Sequence, residues 1–164
     1  MKKKMSDIVL QHISPPDQKP DITVNDLSSV LVKRLGITRK ESRARHASLL
    51  LEMFRYKKDN IPLSVEQISK ILQVSQSQSY EELRKWRSLG LLEFVKIPSG
   101  SGFVKGYILT ANTCNRLMDK VESSLKSFMR KTRRISKDLD DLLILEIARA
   151  SKEPANADAE TAAN

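Results

Sequence analysis

The chain has 164 residues, enough for one ordinary domain and an appended segment. Lysine and arginine number 29 against 20 aspartates and glutamates, so the formal net charge is +9, which favours acidic partners, nucleic acid being the commonest. Cys114 is the only cysteine, which excludes an intramolecular disulfide, and no apolar run reaches the roughly 20 residues that a membrane span needs, so we expect a cytoplasmic protein without membrane contact.

We expect both ends of the chain to lie outside the folded core. Residues 1–21 begin with a lysine run and contain three prolines, so we expect a mobile basic N-terminus. Residues 153–164 are almost entirely alanine and polar groups, which is typical of a disordered tail. The folded part is therefore expected in residues 22–110 and 111–152.

Four helix starts are indicated by capping boxes, in which a serine or threonine precedes an acidic residue or a glutamine by three positions. Such a pair satisfies two backbone amides of the first turn reciprocally. The pairs are Thr23 with Asp26, Thr38 with Glu41, Ser64 with Gln67, and Ser75 with Gln78. We expect Gly36 to end the first helix and Gly90 the fourth, because glycine commonly follows the last helical turn.

The fourth helix has two contrasting faces. Leu83, Trp86 and Leu89 lie on one row and must face a core, which makes Trp86 a large core residue rather than an exposed stacking platform. The opposite side is then polar. It comprises Gln76, Ser77, Tyr80, Glu81, Arg84 and Lys85.

Two segments rich in aromatic and branched residues follow, LLEFVKI and FVKGYILT, separated by PSGSG. They predict a β-hairpin with a flexible tip, and Ile61-Pro62-Leu63 predicts a short edge strand before the third helix. The order is helix, short strand, helix, helix, hairpin. The expected fold class is therefore mainly α with a small β-hairpin (α+β), a winged helix-turn-helix domain over residues 22–110 with an N-terminal accessory helix.

Residues 111–152 predict one long helix with a mostly apolar seam whose positions are spaced alternately three and four apart, as in a coiled coil. The positions are Met118, Val121, Leu125, Phe128, Thr132, Ile135, Leu139 and Leu142. We expect this seam to pair two subunits into a homodimer. The alternative is a helix that bends near Ser136 to Asp138 and packs on its own domain.

The run VSQSQSYEELRKWRSLGLLEFVKI followed by GSGFVKGYILT resembles the second half of a MarR- or PadR-like winged-helix regulator, and the resemblance extends roughly from Thr38 to Lys120. It implies a dimeric transcriptional regulator that binds double-stranded DNA, with helix 76–89 in the major groove and wing 96–105 on the backbone. The positions that would face the groove are Gln76, Ser77, Gln78, Tyr80, Glu81 and Arg84. Winged helices also serve as protein-interaction subunits of transcription, replication or segregation complexes, which is the alternative.

The chemistry of these side chains suits base contacts, since glutamine pairs bidentately with adenine and arginine with guanine. The first turn carries no arginine or lysine, however, and Glu81 and Glu82 add negative charge. Gln76 to Gln78 are also favourable first-turn residues in their own right. Both interpretations stay open from the sequence.

Three basic groups are candidates for phosphate contacts. Lys96 and Lys105 flank the tip of the hairpin, where lysine also protects an edge strand from aggregation. Arg39, Lys40 and Arg43 are expected at the start of the second helix, an anion-friendly end. The run LKSFMRKTRRISK in the long helix contains no acidic residue and is either a solvated face or a second contact with the DNA backbone. A further possibility is that this run dominates binding, which would then be independent of DNA sequence.

We expect neither an enzyme nor a metal or cofactor site. The sequence offers no further residues that would form a metal site or an activated nucleophile with His12 or His46. Asp140 and Asp141 are adjacent on a helix and point in different directions, so they do not form an acid/base pair. Cys114 is interpreted as a buried small residue, with a redox sensor as the alternative. No residue identifies a small-molecule effector.

Overall fold

The computed structural model describes residues 7–17 and 20–152 and is mainly helical with one antiparallel hairpin, as the sequence predicts. Its order of elements is that of a winged helix followed by a long helix. The elements are α1 (Val24–Arg34), α2 (His46–Lys58), α3 (Val65–Leu72), α4 (Gln76–Ser88), β1 (Leu92–Ser99), β2 (Gly102–Leu109) and α5 (Cys114–Ala150). No helix in the described ranges combines the length and the apolar character needed to cross a membrane.

Three of the four predicted capping boxes are confirmed, at the starts of α1, α3 and α4. The helix ends also follow the prediction, because Gly36 and Gly90 adopt positive φ angles of 71° and 77° directly after the C-caps of α1 and α4. α3 ends differently. Gln73 takes the left-handed conformation there and begins the short turn that leads to the Ser75 cap of α4.

The prediction that Thr38 begins the second helix is wrong. The backbone amides of Ile37 and Thr38 both donate to the carbonyl of Val32, so this part of the chain completes the end of α1. Ile37 is fully buried, and an irregular segment follows as far as Arg45. α2 begins only at His46, without a side-chain cap. The basic residues expected in a first helical turn therefore lie in a loop.

Part of the segment that we expected to be mobile has defined contacts. The amide of Gln11 donates to the carbonyl of Arg34 at 3.0 Å, and its side chain donates to the carbonyl of Thr38 at 3.1 Å. Gly36 permits this approach, because a Cβ there would lie 2.1 Å from the carbonyl oxygen of Val9. Residues 1–6, and the tail expected over 153–164, lie outside the described residues.

One hydrophobic core joins all the helices of the first compact unit, which ends at Glu122. Buried side chains come from each of them and from the segments between them, among them Ile37, Leu49, Ile68, Trp86 and Leu117. Trp86 is therefore the core residue that the sequence predicts. The first two turns of α5 close this core with Leu117 and Val121.

The hairpin pairs β1 with β2 from Leu92 opposite Leu109 to Ser99 opposite Gly102. The predicted short strand is present as a single bridge, in which Leu63 and Tyr107 exchange two backbone hydrogen bonds of 2.9 and 2.7 Å. Gly106 permits this bridge, since a Cβ at that position would lie 2.4 Å from the carbonyl oxygen of Leu63. The base of the wing is thus held by a third piece of backbone.

Residues from Ser123 onward form the second compact unit, which consists of the remainder of α5. Its apolar side chains are strongly exposed, for example Phe128 at 66% and Ile135 at 69%. Isolated side chains of this size are common on protein surfaces, whereas a row along one helix is not. The helix is continuous through Ser136 to Asp138, so the chain does not break there.

Candidate nucleic-acid interface

α4 presents its first turn and one long face to solvent. Gln76, Ser77 and Tyr80 are exposed, and the side chains of Gln76 and Ser77 form no hydrogen bond to another described residue. Gln78 is also exposed, but its Oε1 accepts from the amide of Ser75 at 3.2 Å and so completes the helix cap. Of the two glutamines predicted to contact bases, Gln76 therefore has a side-chain amide without a hydrogen bond to a described residue, whereas the side chain of Gln78 caps the helix.

The acidic residues of α4 are paired with basic ones along the helix. Glu81 accepts from Arg84 at 2.6 Å on the exposed face. Glu82 accepts from Lys85 at 2.6 Å and lies 2.9 Å from Nε2 of His46. The negative charges that Glu81 and Glu82 add to α4 are thus compensated locally.

The structure corrects the expected position of Lys85. Its side chain was assigned to the outward face, but the residue is only 8% exposed and its ammonium group is engaged by Glu82. The methylene chain of a lysine covers apolar surface while the charged end reaches a polar partner, which explains this placement at the border of the core. Lys85 is therefore a lining residue of the interface rather than an outward contact.

A buried polar chain connects α4 to α2 behind this interface. Trp86 Nε1 donates to Nδ1 of His46 at 3.1 Å, so a neutral imidazole carries its proton on Nε2 and donates it to Glu82. Burial raises the pKa of the Glu82 carboxyl, but the hydrogen bonds and electrostatic interactions with His46 and Lys85 together outweigh burial and hold that pKa below its usual value. No local sequence pattern signals this network, because its partners are 36 and 40 residues apart.

A basic loop lies on one side of α4. Its residues Arg39, Lys40 and Arg43 are exposed, and together with Gln78 and Lys85 they line an open cleft of about 840 Å³. Arg39 also donates to the carbonyl of Asp7 at 2.9 Å. The three basic residues are thus beside α4, as a DNA contact requires, although they do not begin a helix.

The wing lies on the other side of α4. Tyr80 of α4 and Lys105 of β2 line a second cleft of about 390 Å³, so helix and wing share a continuous surface. Lys96 stands directly opposite Lys105 in the hairpin, and both are exposed. Like charges directly opposite each other in a sheet are unfavourable, and a bound anion would relieve the repulsion.

The predicted dimerisation residues divide between the two compact units. Met118 and Val121 pack against the core of the first unit, which leaves little of their surface for another subunit. The others lie on the exposed part of α5 and are 38% to 69% exposed. They are Leu125, Phe128, Ile135, Leu139 and Leu142.

The remaining candidate groups are placed as follows. His12 is exposed on the N-terminal segment, far in sequence from the buried His46, and among the described residues no three histidine, cysteine or acidic side chains are grouped as metal ligands. Cys114 is half-buried at the start of α5, and burial raises the pKa of its thiol. A raised pKa reduces the thiolate fraction and with it the reactivity towards oxidants.

Comparison with known proteins finds one partial structural similarity. No protein-family model matches the chain, and no curated protein matches it. A solved structure described as a possible transcriptional regulator from Methanosarcina mazei Go1 is similar over 56% of this chain and 74% of its own, with 15% identity and a TM-score of 0.33. At that TM-score the similarity supports no conclusion about function.

Proposed function

We propose that the protein is a dimeric winged-helix transcriptional regulator that binds double-stranded DNA in a sequence-specific manner. The observation that carries the proposal is the position of α4 between two basic surfaces. The loop with Arg39, Lys40 and Arg43 lies on one side and the wing with Lys96 and Lys105 on the other. A duplex with α4 in its major groove presents a phosphate strand on each side of the helix, which matches this charge distribution.

Base contacts are assigned to the exposed face of α4. Gln76 has the free amide that pairs with the N6 and N7 positions of adenine, and Ser77 accepts or donates to several bases or to a phosphate. Arg84 reaches a guanine or the backbone after exchanging its exposed ion pair with Glu81, which costs little because exposed pairs contribute about 0 to 1 kcal/mol. Tyr80 lies where α4 meets the wing.

Dimerisation is assigned to the exposed part of α5. The apolar positions from Leu125 to Leu142 are three and four residues apart, so each helix offers the knobs and holes that a second copy of itself requires. Thr132 is a polar position within this row. Two identical subunits would then demand an inverted repeat, with half-sites separated by about one helical turn or a multiple of it.

A specific observation favours a second candidate, a protein-interaction subunit. Beyond the seam, the last turns of α5 are apolar on several sides, since Leu143, Ile144, Leu145 and Ile147 are 43% to 66% exposed. A two-stranded coiled coil covers one side of a helix only. A partner chain of different sequence would cover the rest.

Selection from a random duplex pool at physiological salt, followed by sequencing of the retained DNA, tests the proposal. Enrichment of an inverted repeat supports both base contacts by α4 and the dimer. Retention without any enriched sequence, lost on a modest increase in salt, indicates electrostatic binding alone and contradicts sequence specificity. Capture of one defined protein through α5, with no duplex retained, supports the second candidate.

A further inference from the structure

One face of the hairpin carries an alternation of aromatic and basic residues. The register places Phe94 opposite Tyr107, Lys96 opposite Lys105, and Pro98 opposite Phe103. Because alternate residues of a strand point to the same side, these three pairs share one face of the wing. We call Phe94, Lys96, Phe103, Lys105 and Tyr107 the wing ladder.

Two of the three rings of the wing ladder are exposed, whereas that of Tyr107 is buried. Phe94 is 53% exposed and Phe103 is 61% exposed, while Tyr80 at the foot of the wing is 47% exposed. The chain has only eight aromatic residues, one Trp, three Tyr and four Phe, so three of the eight are exposed on this one surface. Trp86, by contrast, is fully buried. A structural role in the core does not account for the exposed rings.

Contacts between neighbouring side chains order the ladder. Phe94 meets Tyr107 in an edge arrangement, with ring centroids 5.2 Å apart and planes at 71°. The ammonium group of Lys96 lies 4.2 Å from the centroid of Phe103, a cation–π contact that fixes the position of its charge. Aromatic rings and positive charges therefore alternate at short spacing along the wing.

Tyr80 extends the ladder onto α4. Tyr80, Phe94, Tyr107 and Lys105 line one cleft of about 390 Å³ together with Ser64 and Val65. Two exposed rings border this cleft from different elements. A flat aromatic guest held there would contact rings and find a positive charge at the rim.

We propose that the wing ladder binds unpaired bases of a single-stranded nucleic acid, with bases stacked on Phe103, Phe94 and Tyr80 and the intervening phosphates neutralised by Lys96 and Lys105. Exposed rings interleaved with basic side chains are what single-strand binding requires, because every base offers a π face and the backbone supplies the charge. DNA and RNA strands share this chemistry. The proposal goes beyond the proposed function and does not depend on base contacts by Gln76 or Arg84.

A duplex or an acidic peptide fits this surface less well. In a duplex the faces of the bases are stacked on one another, so only phosphates and groove edges remain for the wing. An acidic peptide would satisfy Lys96 and Lys105 but would leave the rings of Phe94 and Phe103 exposed. Unpaired bases use both components of the ladder.

The test measures fluorescence anisotropy of labelled oligothymidine and oligouridine of about 12 nucleotides, titrated with the full-length chain at physiological salt. Random-sequence duplex is titrated in parallel. The variants Phe94→Leu and Phe103→Leu keep an apolar side chain and remove the ring. We expect each to lower single-strand affinity about 5-fold or more while duplex affinity changes less than 2-fold.

Matched controls separate stacking from folding and charge. Val104→Ala alters an exposed apolar residue on the opposite face of β2 and should leave single-strand affinity unchanged. Phe103 is at the exposed tip, so its variant keeps the fold, which circular dichroism verifies. Lys96→Gln should weaken both single-strand and duplex binding.

Each outcome decides the proposal. Selective loss of single-strand binding in the two Phe variants supports it, and a preference for oligothymidine or oligouridine then identifies the polymer. Absence of single-strand binding, equal losses on strand and duplex in the Phe variants, or displacement by polyglutamate as readily as by free oligothymidine overturns it. Failure of the duplex selection described above leaves these results unaffected, so the two proposals are tested separately.

Discussion

Trp86 donates its indole hydrogen to Nδ1 of His46 across 3.1 Å, and this bond joins the last turn of α4 to the first residue of α2. Both side chains are almost completely buried. The other imidazole nitrogen is bound to Glu82, which also holds Lys85. The position of α4 is therefore fixed by one continuous polar chain as well as by apolar packing.

Replacing His46 should destabilise the domain, because His46→Ala leaves the buried indole N–H and the Glu82 carboxylate without this partner. We expect a loss of about 2 to 4 kcal/mol in the free energy of unfolding, from unpaired polar groups together with the cavity left. Urea unfolding followed by circular dichroism measures it. His12→Ala is the matched control, since His12 is exposed and should change the free energy by less than about 0.5 kcal/mol.

Glu82 should make stability depend on pH in the acidic range. Its folded pKa is lowered, so its contribution is fully present above the unfolded pKa of about 4.3 and is lost as the pH falls through the folded value. Glu82→Gln should therefore be less stable than the parent near neutral pH by about 1 to 3 kcal/mol. The difference should shrink below about pH 4. Urea midpoints across pH measure it.

Glu81→Gln serves as the control for Glu82, because Glu81 pairs with Arg84 on the exposed face of the same helix. It should shift stability by less than about 0.5 kcal/mol at every pH. Equal effects of the two substitutions would contradict the assigned role of the His46 contact.

Substitutions on α4 and on the wing should have different consequences for duplex binding. Gln76→Ala and Arg84→Ala should each cost about 1 to 3 kcal/mol on the preferred site and far less on random DNA. Lys96→Ala and Lys105→Ala should weaken both similarly, because phosphate contacts carry no base information. Gel shift titrations compare them with Lys33→Ala, an exposed lysine of α1 away from the interface. Negligible effects from all four would reject this geometry.

A charge placed in the proposed seam of α5 should separate the subunits. Leu139→Glu introduces a carboxylate into an apolar row in which Leu139 is 55% exposed in the single chain. Sedimentation equilibrium should then give the mass of one chain, whereas the parent and Lys137→Glu, altered beside the seam, should give the mass of two. A monomeric parent chain would disprove the homodimer.

The wing should be sensitive to a methyl group at Gly106 and not at Gly102. Gly106→Ala forces a Cβ against the carbonyl of Leu63, so the bridge to Tyr107 must shift, at a cost of about 1 to 3 kcal/mol. Gly102→Ala meets no atom within 4 Å and should be close to neutral. Thermal unfolding of the two variants tests this difference. Similar melting temperatures would show that the bridge does not hold the wing.

Local chemistry made much of the fold predictable from the sequence. The capping boxes at Thr23, Ser64 and Ser75 involve residues three positions apart, and the glycines after α1 and α4 act within one turn. The false start at Thr38 has a matching explanation. The amide of Thr38 donates to the carbonyl of Val32, so no helix begins at Thr38. This bond depends on how Ile37 enters the core, and the residues around Thr38 carry no pattern that would reveal it.

The candidate site was predictable in part. Its exposed α4 residues followed from the position of Trp86 on the apolar row, which the structure confirms. Lys85 was assigned to the wrong side, because its inward position depends on a Glu82 carboxylate that His46 holds from another helix. The wing ladder is visible in the sequence, because each strand has a phenylalanine followed two positions later by a lysine, Phe94 with Lys96 and Phe103 with Lys105. In a strand, residues two positions apart lie on the same face.

The burial of Trp86 gives the protein an intrinsic spectroscopic probe. The chain has a single tryptophan, so its ultraviolet-excited emission arises from one place, the contact between α2 and α4. The emission maximum therefore reports whether water reaches this contact, and it needs no attached dye. α5 contains no tryptophan. The proposed pairing through that helix can therefore be tested by varying the protein concentration, while the same emission monitors the integrity of the core around Trp86.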